Sequence, residues 1–262
     1  MLRSVIAVAV ATLTAGIAPA AVVTKVVNYE HDGTKLKGFL AYDDSVKEKR
    51  PGVIVFPEWW GLNDYAKIRA TQLAEHGYVA FAADLYGEGK VIDVAHPMDA
   101  GKMAGVLREN VKLWRGRAEA ALKQLTSNEH VDATKIAAIG YCLGGSTALQ
   151  LAYSGADIKA VSTFHAGLPA ATPEEAKAIK AKILINNGAD DTFVKEMDIK
   201  AFKAPLDAAK VKYTFENHPG AVHSFTVPDA DKAKNPGMKY DAAADGKSWK
   251  EMLALFKETL GK

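Results

Sequence analysis

One cysteine, Cys142, stands in the whole chain, so neither an internal disulfide nor a cysteine-rich metal site can be built from it. Excess charge is scarce too. Thirty-three Lys and Arg against 31 Asp and Glu leave a formal net charge of +2, with no basic stripe or acidic tail, which argues against a nucleic-acid partner. Internal repeats, low-complexity tracts and any linker that would divide the chain are missing. His31, His76, His96, His130 and His218 show no ligand spacing for a metal and read as surface or structural residues. What is present is 262 residues, 48% of them hydrophobic, ample for a large core.

The N-terminal segment differs from the rest. Arg3 supplies a positive n-region, Ser4–Ile17 an increasingly apolar stretch, and Ala18-Pro19-Ala20 a small-residue cleavage pattern. Residues 1–20 therefore read as a signal peptide, with residues 21–262 as the mature domain, exported to the periplasm or secreted. Apolar character running on through Val23 would suit an uncleaved anchor, but the stretch is alanine-rich and only Lys25 flanks its far side. No stable membrane association is expected after cleavage. A single thiol suits an oxidising compartment in which no disulfide has to form.

Along the mature chain, Val22–Tyr29 and Leu36–Tyr42 alternate as an antiparallel pair around His31-Asp32-Gly33-Thr34. Continuous apolar runs, Val53–Phe56 and Tyr78–Ala83, read as strands buried on both faces. Asn63 or Asp64 can cap a helix through His76, closed by Gly77. Residues 88–105 read as loop with some helix character, followed by a helix over 109–125. A strand at 135–139 leads to a helix from Ser146. Then come a strand at 158–164, a short helix from Pro173, a strand at 182–187, a helix to about Lys210, a strand at 211–216 and a last helix over 248–260. Strands alternating with helices imply an α/β fold, a mainly parallel central sheet with helices on both faces, and ligands at the carboxyl ends of its strands.

The most informative stretch is Gly140-Tyr141-Cys142-Leu143-Gly144-Gly145, between a short apolar strand and a helix-like run. Its spacing is that of a nucleophile elbow, G-x-S-x-G, with cysteine in the serine's place. A sharp strand-to-helix turn strains its central residue and leaves no room for a Cβ on its neighbours. The helix N-terminus favours a thiolate there. Two plainer interpretations compete. A lone cysteine is often a small buried hydrophobe. A dinucleotide loop would need a glycine where Cys142 stands and an acid at the end of the next strand, which instead ends Ser162-Thr163-Phe164-His165. A thiolate nucleophile also needs a base and a group to orient that base. Cys142, then Asp191 or its rival Asp190, then His223 follow the chain order nucleophile, acid, histidine, each after a different strand.

Pro57-Glu58-Trp59-Trp60-Gly61-Leu62-Asn63, Asp84-Leu85-Tyr86, the cysteine elbow, Gly188-Ala189-Asp190-Asp191-Thr192-Phe193-Val194 and Gly220-Ala221-Val222-His223-Ser224-Phe225 together resemble the dienelactone hydrolase family, over nearly the whole mature chain. The resemblance implies an α/β-hydrolase fold, a Cys142–His223–Asp191 triad in which Asp191 is chosen over Asp190, and Glu58 as the carboxylate that pairs with the thiol and activates it. It also implies an oxyanion hole at the backbone N–H groups of Trp59 and Leu143. Trp60, Tyr86, His165 and Phe225 are candidates to line the substrate site. The expected activity is hydrolysis of small esters or lactones, like that of a carboxymethylenebutenolidase, through a thioester acyl-enzyme, with no cofactor or metal and with the chain as a monomer. Gly87 and Val227 occupy the positions of two substrate-binding arginines of the family, so a preference for uncharged substrates is expected, with Lys90 or Arg108 on the variable segment as the cations that could substitute. A non-catalytic small-molecule-binding protein and a thiol-redox protein are the alternatives, the second weakened by the lack of a resolving cysteine.

Overall fold

The computed structural model describes residues 22–262, so the signal-peptide expectation and the cleavage site lie outside the described residues. Along the chain run β1 (Val22–His31), β2 (Thr34–Asp43), β3 (Arg50–Phe56), α1 (Asp64–Glu75), β4 (Val79–Ala82), α2 (Pro97–Glu109), α3 (Val111–Thr126), β5 (Val131–Tyr141) and α4 (Leu143–Tyr153). They are followed by β6 (Ala160–Phe164), α5 (Pro173–Ala178), β7 (Lys182–Gly188), α6 (Glu196–Ala208), β8 (Tyr213–His218) and α7 (Ala242–Leu260). The strands join in one eight-stranded sheet of order β1-β2-β4-β3-β5-β6-β7-β8. β1 with β2 and β2 with β4 pair antiparallel; every other pair is parallel.

Alternation along each strand assigns side chains to one of two cores. Val53, Val55, Ile139 and Tyr141 face α1 and α7, where they meet Leu73, Met252 and Phe256. Ile54, Phe56, Ile136 and Ala138 face the opposite side and pack with Trp114, Leu125 and Leu149 of α3 and α4. Each fully buried large side chain contributes about 1.5–3 kcal/mol, so both faces must be covered, as the continuous apolar runs require.

Three boundaries differ from the sequence expectation. The stretch at 88–105, read as loop, holds most of a regular helix, α2, which begins with Pro97 in its first turn, where a fixed φ suits the helix. Gly101 and Gly105 mask it, because each lowers helix propensity by about 1 kcal/mol. Asn110 then ends α2 and caps α3, its side chain accepting from Leu113 N at 3.0 Å. The helix after the cysteine begins at Leu143 rather than Ser146, and α7 begins at Ala242 because Asp241 accepts from Ala243 N and Ala244 N. The other expected strands and helices stand within a few residues of their sequence positions.

Candidate active site

β5 enters the site and α4 leaves it, and Cys142 is the single residue between them. It holds φ 51° and ψ −115°, a conformation costing on the order of 1–3 kcal/mol for a residue with a side chain. The glycines explain how the turn closes. A Cβ on Gly140 would lie 2.0 Å from the Gly144 carbonyl oxygen, and one on Gly144 would lie 2.0 Å from that of Phe56. Cys142 N donates to Phe164 O at 3.0 Å, which ties the elbow to β6. Its side chain opens into a cavity of about 290 Å³ lined also by Trp59, Arg108, Leu143, Ser146, Phe193 and His223. Leu143 N is the first amide of α4 and, like every first-turn amide, lacks an intrahelical acceptor. Tyr86 Oη donates to Trp59 O at 2.8 Å and steadies the facing loop.

His223 and Asp191 meet at the carboxyl end of the sheet. His223 Nδ1 donates to Asp191 Oδ2 at 2.8 Å, while Asp191 Oδ1 accepts from Phe193 N at 2.8 Å. Asp190 is exposed, and Asp191 is the residue that turns inward. With Nδ1 committed, Nε2 is the nitrogen available for proton transfer. The ring meets those of Phe193 and His165, at centroid distances of 4.9 and 5.1 Å. Burial alone would lower the His223 pKa, but the negative charge of Cys142 and the hydrogen bonds to Asp191 and Cys142 outweigh it and raise the value to about 10.

Glu58 is buried and accepts a hydrogen bond from Ser224 Oγ at 3.1 Å. Among the described residues no hydrogen bond joins it to Cys142; its carboxyl lines a neighbouring cavity of about 600 Å³ instead. Desolvation pushes its pKa above the ordinary carboxylate range, and the charge of His223 and the Ser224 bond pull the other way. Ser224 has φ 55° and His165 φ 41°, so three strained residues, with Cys142, surround the site.

The four expected lining residues fall elsewhere. Trp60 lines the larger cavity beside Glu58. Tyr86 supports Trp59, while His165 is completely buried against His223 and Phe225 is completely buried against His165. The residues that do line the cysteine cavity, Ser146, Phe193, Val194, Asn235, Met238 and Arg108 among them, come from loops and helix turns with no periodic signature. Ser146 lies one turn after the elbow; Arg108 stands on the variable segment that the sequence offers, with Lys90, as a source of a substitute cation. Val227 lines the larger cavity, whereas Arg108, exposed and without an ion pair among the described residues, reaches the cysteine cavity from α2.

A strained elbow between strand and helix, on a mostly parallel sheet flanked by helices, defines an α/β-hydrolase. The chain belongs to the dienelactone hydrolase family, whose model matches residues 36–260. Among solved structures it is similar to a protein named m3DLH, at 40% identity and TM-score 0.89, covering 92% of this chain and 99% of that one. A dienelactone hydrolase-like promiscuous phosphotriesterase from metagenomic libraries is also similar, at 40% identity and TM-score 0.88, covering 91% of this chain and 99% of that one. The carboxymethylenebutenolidase of Pseudomonas putida is 26% identical over 156 residues, 56% of this chain and 64% of the relative. The chain is accordingly a hydrolase acting on small carboxylic esters or lactones.

Proposed function

We propose that hydrolysis runs through Cys142, His223 and Asp191. The thiolate of Cys142 attacks the substrate carbonyl, and the N–H groups of Trp59 and Leu143 receive the oxyanion. The tetrahedral adduct collapses to a thioester, the C–O bond breaks, and the His223 imidazolium protonates the departing alkoxide, which stays tethered when the substrate is a lactone. His223 then deprotonates a water that attacks the thioester, releasing the acid and restoring the thiol. Asp191 holds the tautomer that leaves Nε2 free. Glu58 is proposed as the thiol-activating base, taking the thiol proton and passing it to His223, which becomes the imidazolium that protonates the alkoxide. Burial makes its carboxylate a stronger proton acceptor than an exposed one, and it must exchange its Ser224 bond to act.

The observation that carries this proposal is the 2.8 Å bond from His223 to Asp191 with Cys142 on the same cavity wall. Its test is turnover of a chromogenic ester by wild type and Cys142→Ala, with mass spectrometry of an acylated Cys142 trapped by acid quench. An active alanine variant would remove the assignment; binding without turnover in wild type would favour the non-catalytic alternative. Phosphotriesters belong in the substrate panel, given the name of one 40% identical structure. Export is part of the same proposal, supported by the pattern Arg3, Ser4–Ile17 and Ala18-Pro19-Ala20, with the chain proposed to act as a monomer. N-terminal sequencing should read from about Ala21, and light scattering should give a monomer mass.

A further inference from the structure

His165 does not reach the cysteine cavity, yet it sits at the end of β6 in a strained conformation, wholly buried, with its ring 5.1 Å from that of His223 and inclined 65° to it. Its Nε2 lies 2.8 Å from Thr226 Oγ1, and its Nδ1 is buried without a hydrogen-bond partner. Thr226 Oγ1 is 2.6 Å from Tyr65 Oη, and Tyr65 Oη accepts from Arg69 Nε at 3.1 Å. Arg69 also donates to Thr226 O at 2.9 Å and to Asp245 Oδ1 at 2.5 Å.

The direction of this chain is set at its start. A guanidinium can only donate. Tyr65 Oη therefore accepts from Arg69 and has one proton to pass on, which goes to the nearer acceptor, Thr226 Oγ1. Thr226 O is already served by Arg69. The threonine hydroxyl, having accepted from tyrosine, gives its own proton to His165 Nε2. That nitrogen must then be bare, and the proton of the neutral ring sits on Nδ1.

We propose that His165 is a positioning residue for His223, held as the neutral Nδ1–H tautomer by the chain Arg69–Tyr65–Thr226. The inference rests on the assignment of His223 as the proton-transfer base. A neutral ring at this place braces His223, as Phe193 also does, and presents no positive charge to the imidazolium that forms in each cycle; a charged one would repel it. Burial, with His223 and Arg69 nearby, pushes His165 well below the usual histidine range. The other titratable or charged groups around the pair are Tyr65, Tyr141, Cys142, Glu58, Asp191 and Asp245. An unpaired Nδ1–H and a positive φ are unfavourable for folding, which fits a residue kept for orientation rather than stability.

The test separates tautomer from turnover. Nitrogen-15 spectra of wild type should show His165 with Nδ1 protonated and Nε2 bare, without titrating between about pH 5 and 9. Thr226→Val is nearly isosteric and should abolish that pattern, lowering kcat roughly 10- to 100-fold with KM unchanged, as for a misplaced catalytic group. Thr226→Ser should restore both, and Tyr65→Phe should act in the same direction one link earlier. A protonated Nε2 or a titrating His165 in wild type would overturn the chain, whatever the activity. Loss of the tautomer in Thr226→Val at unchanged kcat would overturn the positioning role. Full activity in His223→Ala would instead overturn the underlying assignment, a result that the spectra of His165 do not depend on.

Discussion

Ser224 Oγ donates to Glu58 Oε1 at 3.1 Å, and this bond joins the strained residue beside His223 to a carboxyl at the mouth of β3. The two residues are 166 positions apart in sequence. Glu58 is a buried acid whose hydrogen bond comes from a neutral donor, and burial outweighs both that bond and the charge of His223, so the protonated form is favoured.

A stability prediction follows from the sign of that shift. A carboxyl whose folded pKa is raised binds more protons folded than unfolded, so stability falls as pH rises above the ordinary glutamate value of 4.5 towards the folded one. Glu58→Gln mimics the protonated form. Its melting temperature should match wild type near pH 4 and exceed it at pH 8, while esterase activity falls. Thermal scans across that range check it, and a variant less stable than wild type at pH 8 would show that Glu58 is not held at an electrostatic cost.

The His223–Asp191 bond makes a ranking of variants. His223→Ala should lower kcat by roughly 10²–10⁴-fold, the usual worth of a positioned acid–base group. Asp191→Asn should lower it less, since a thiol needs less help from its base than a hydroxyl does. Asp190→Asn should stay near wild type, because its side chain is exposed and makes no bond to the ring. Equal losses at the two aspartates would contradict the geometry.

The pKa of His223 is raised by Cys142 and Asp191 against the effect of burial. A histidine raised in the folded state stabilises fully below its unfolded value of 6.5, and that contribution is lost as pH rises through about 10. In Cys142→Ala the larger of the two raising influences is gone. The proton resonance of the His223 ring should titrate near pH 10 in wild type and well below that in the variant. An identical midpoint in both would mean that the thiol does not influence the ring.

How much of this was legible beforehand depended on distance along the chain. The elbow declared itself, because Gly140, Cys142 and Gly144 are close in sequence and each answers a local steric demand. Cys142, one of Asp190 and Asp191, and His223 follow from their order after different strands, since a parallel sheet brings strand ends together whatever the loops do; the choice of Asp191 comes from the family resemblance. The walls were not legible. His165 stands at a strand end like the others but turns under His223, held by Thr226 from a loop 61 residues away. Glu58 is singled out by the sequence, but its partner is not, because nothing near Pro57 in sequence points to Ser224. Arg108 is legible as a candidate cation, but the two glycines of α2 hide the helix that carries it to the cavity.

Arg108 decides the last prediction. The family-like positions Gly87 and Val227 carry no charge, which suggested that an anionic substrate would lose its hydration without compensation. Arg108 supplies a cation to the cysteine cavity from a different element, and no salt bridge occupies it among the described residues. A charge-assisted hydrogen bond is worth about 1.5–3 kcal/mol when desolvated, but an exposed guanidinium is screened, so a value below that range, about 0.7–1.4 kcal/mol, applies. Arg108→Leu should therefore reduce kcat/KM for a carboxylate-bearing ester by roughly 3- to 10-fold while leaving a matched neutral ester nearly unchanged. Added salt should shrink the difference in wild type and leave the variant indifferent. The measurement is kcat/KM for both esters, on both proteins, at low and high ionic strength. Equal losses on the two esters would mean that Arg108 shapes the cavity wall without reading charge, and the preference for neutral substrates expected from Gly87 and Val227 would then stand.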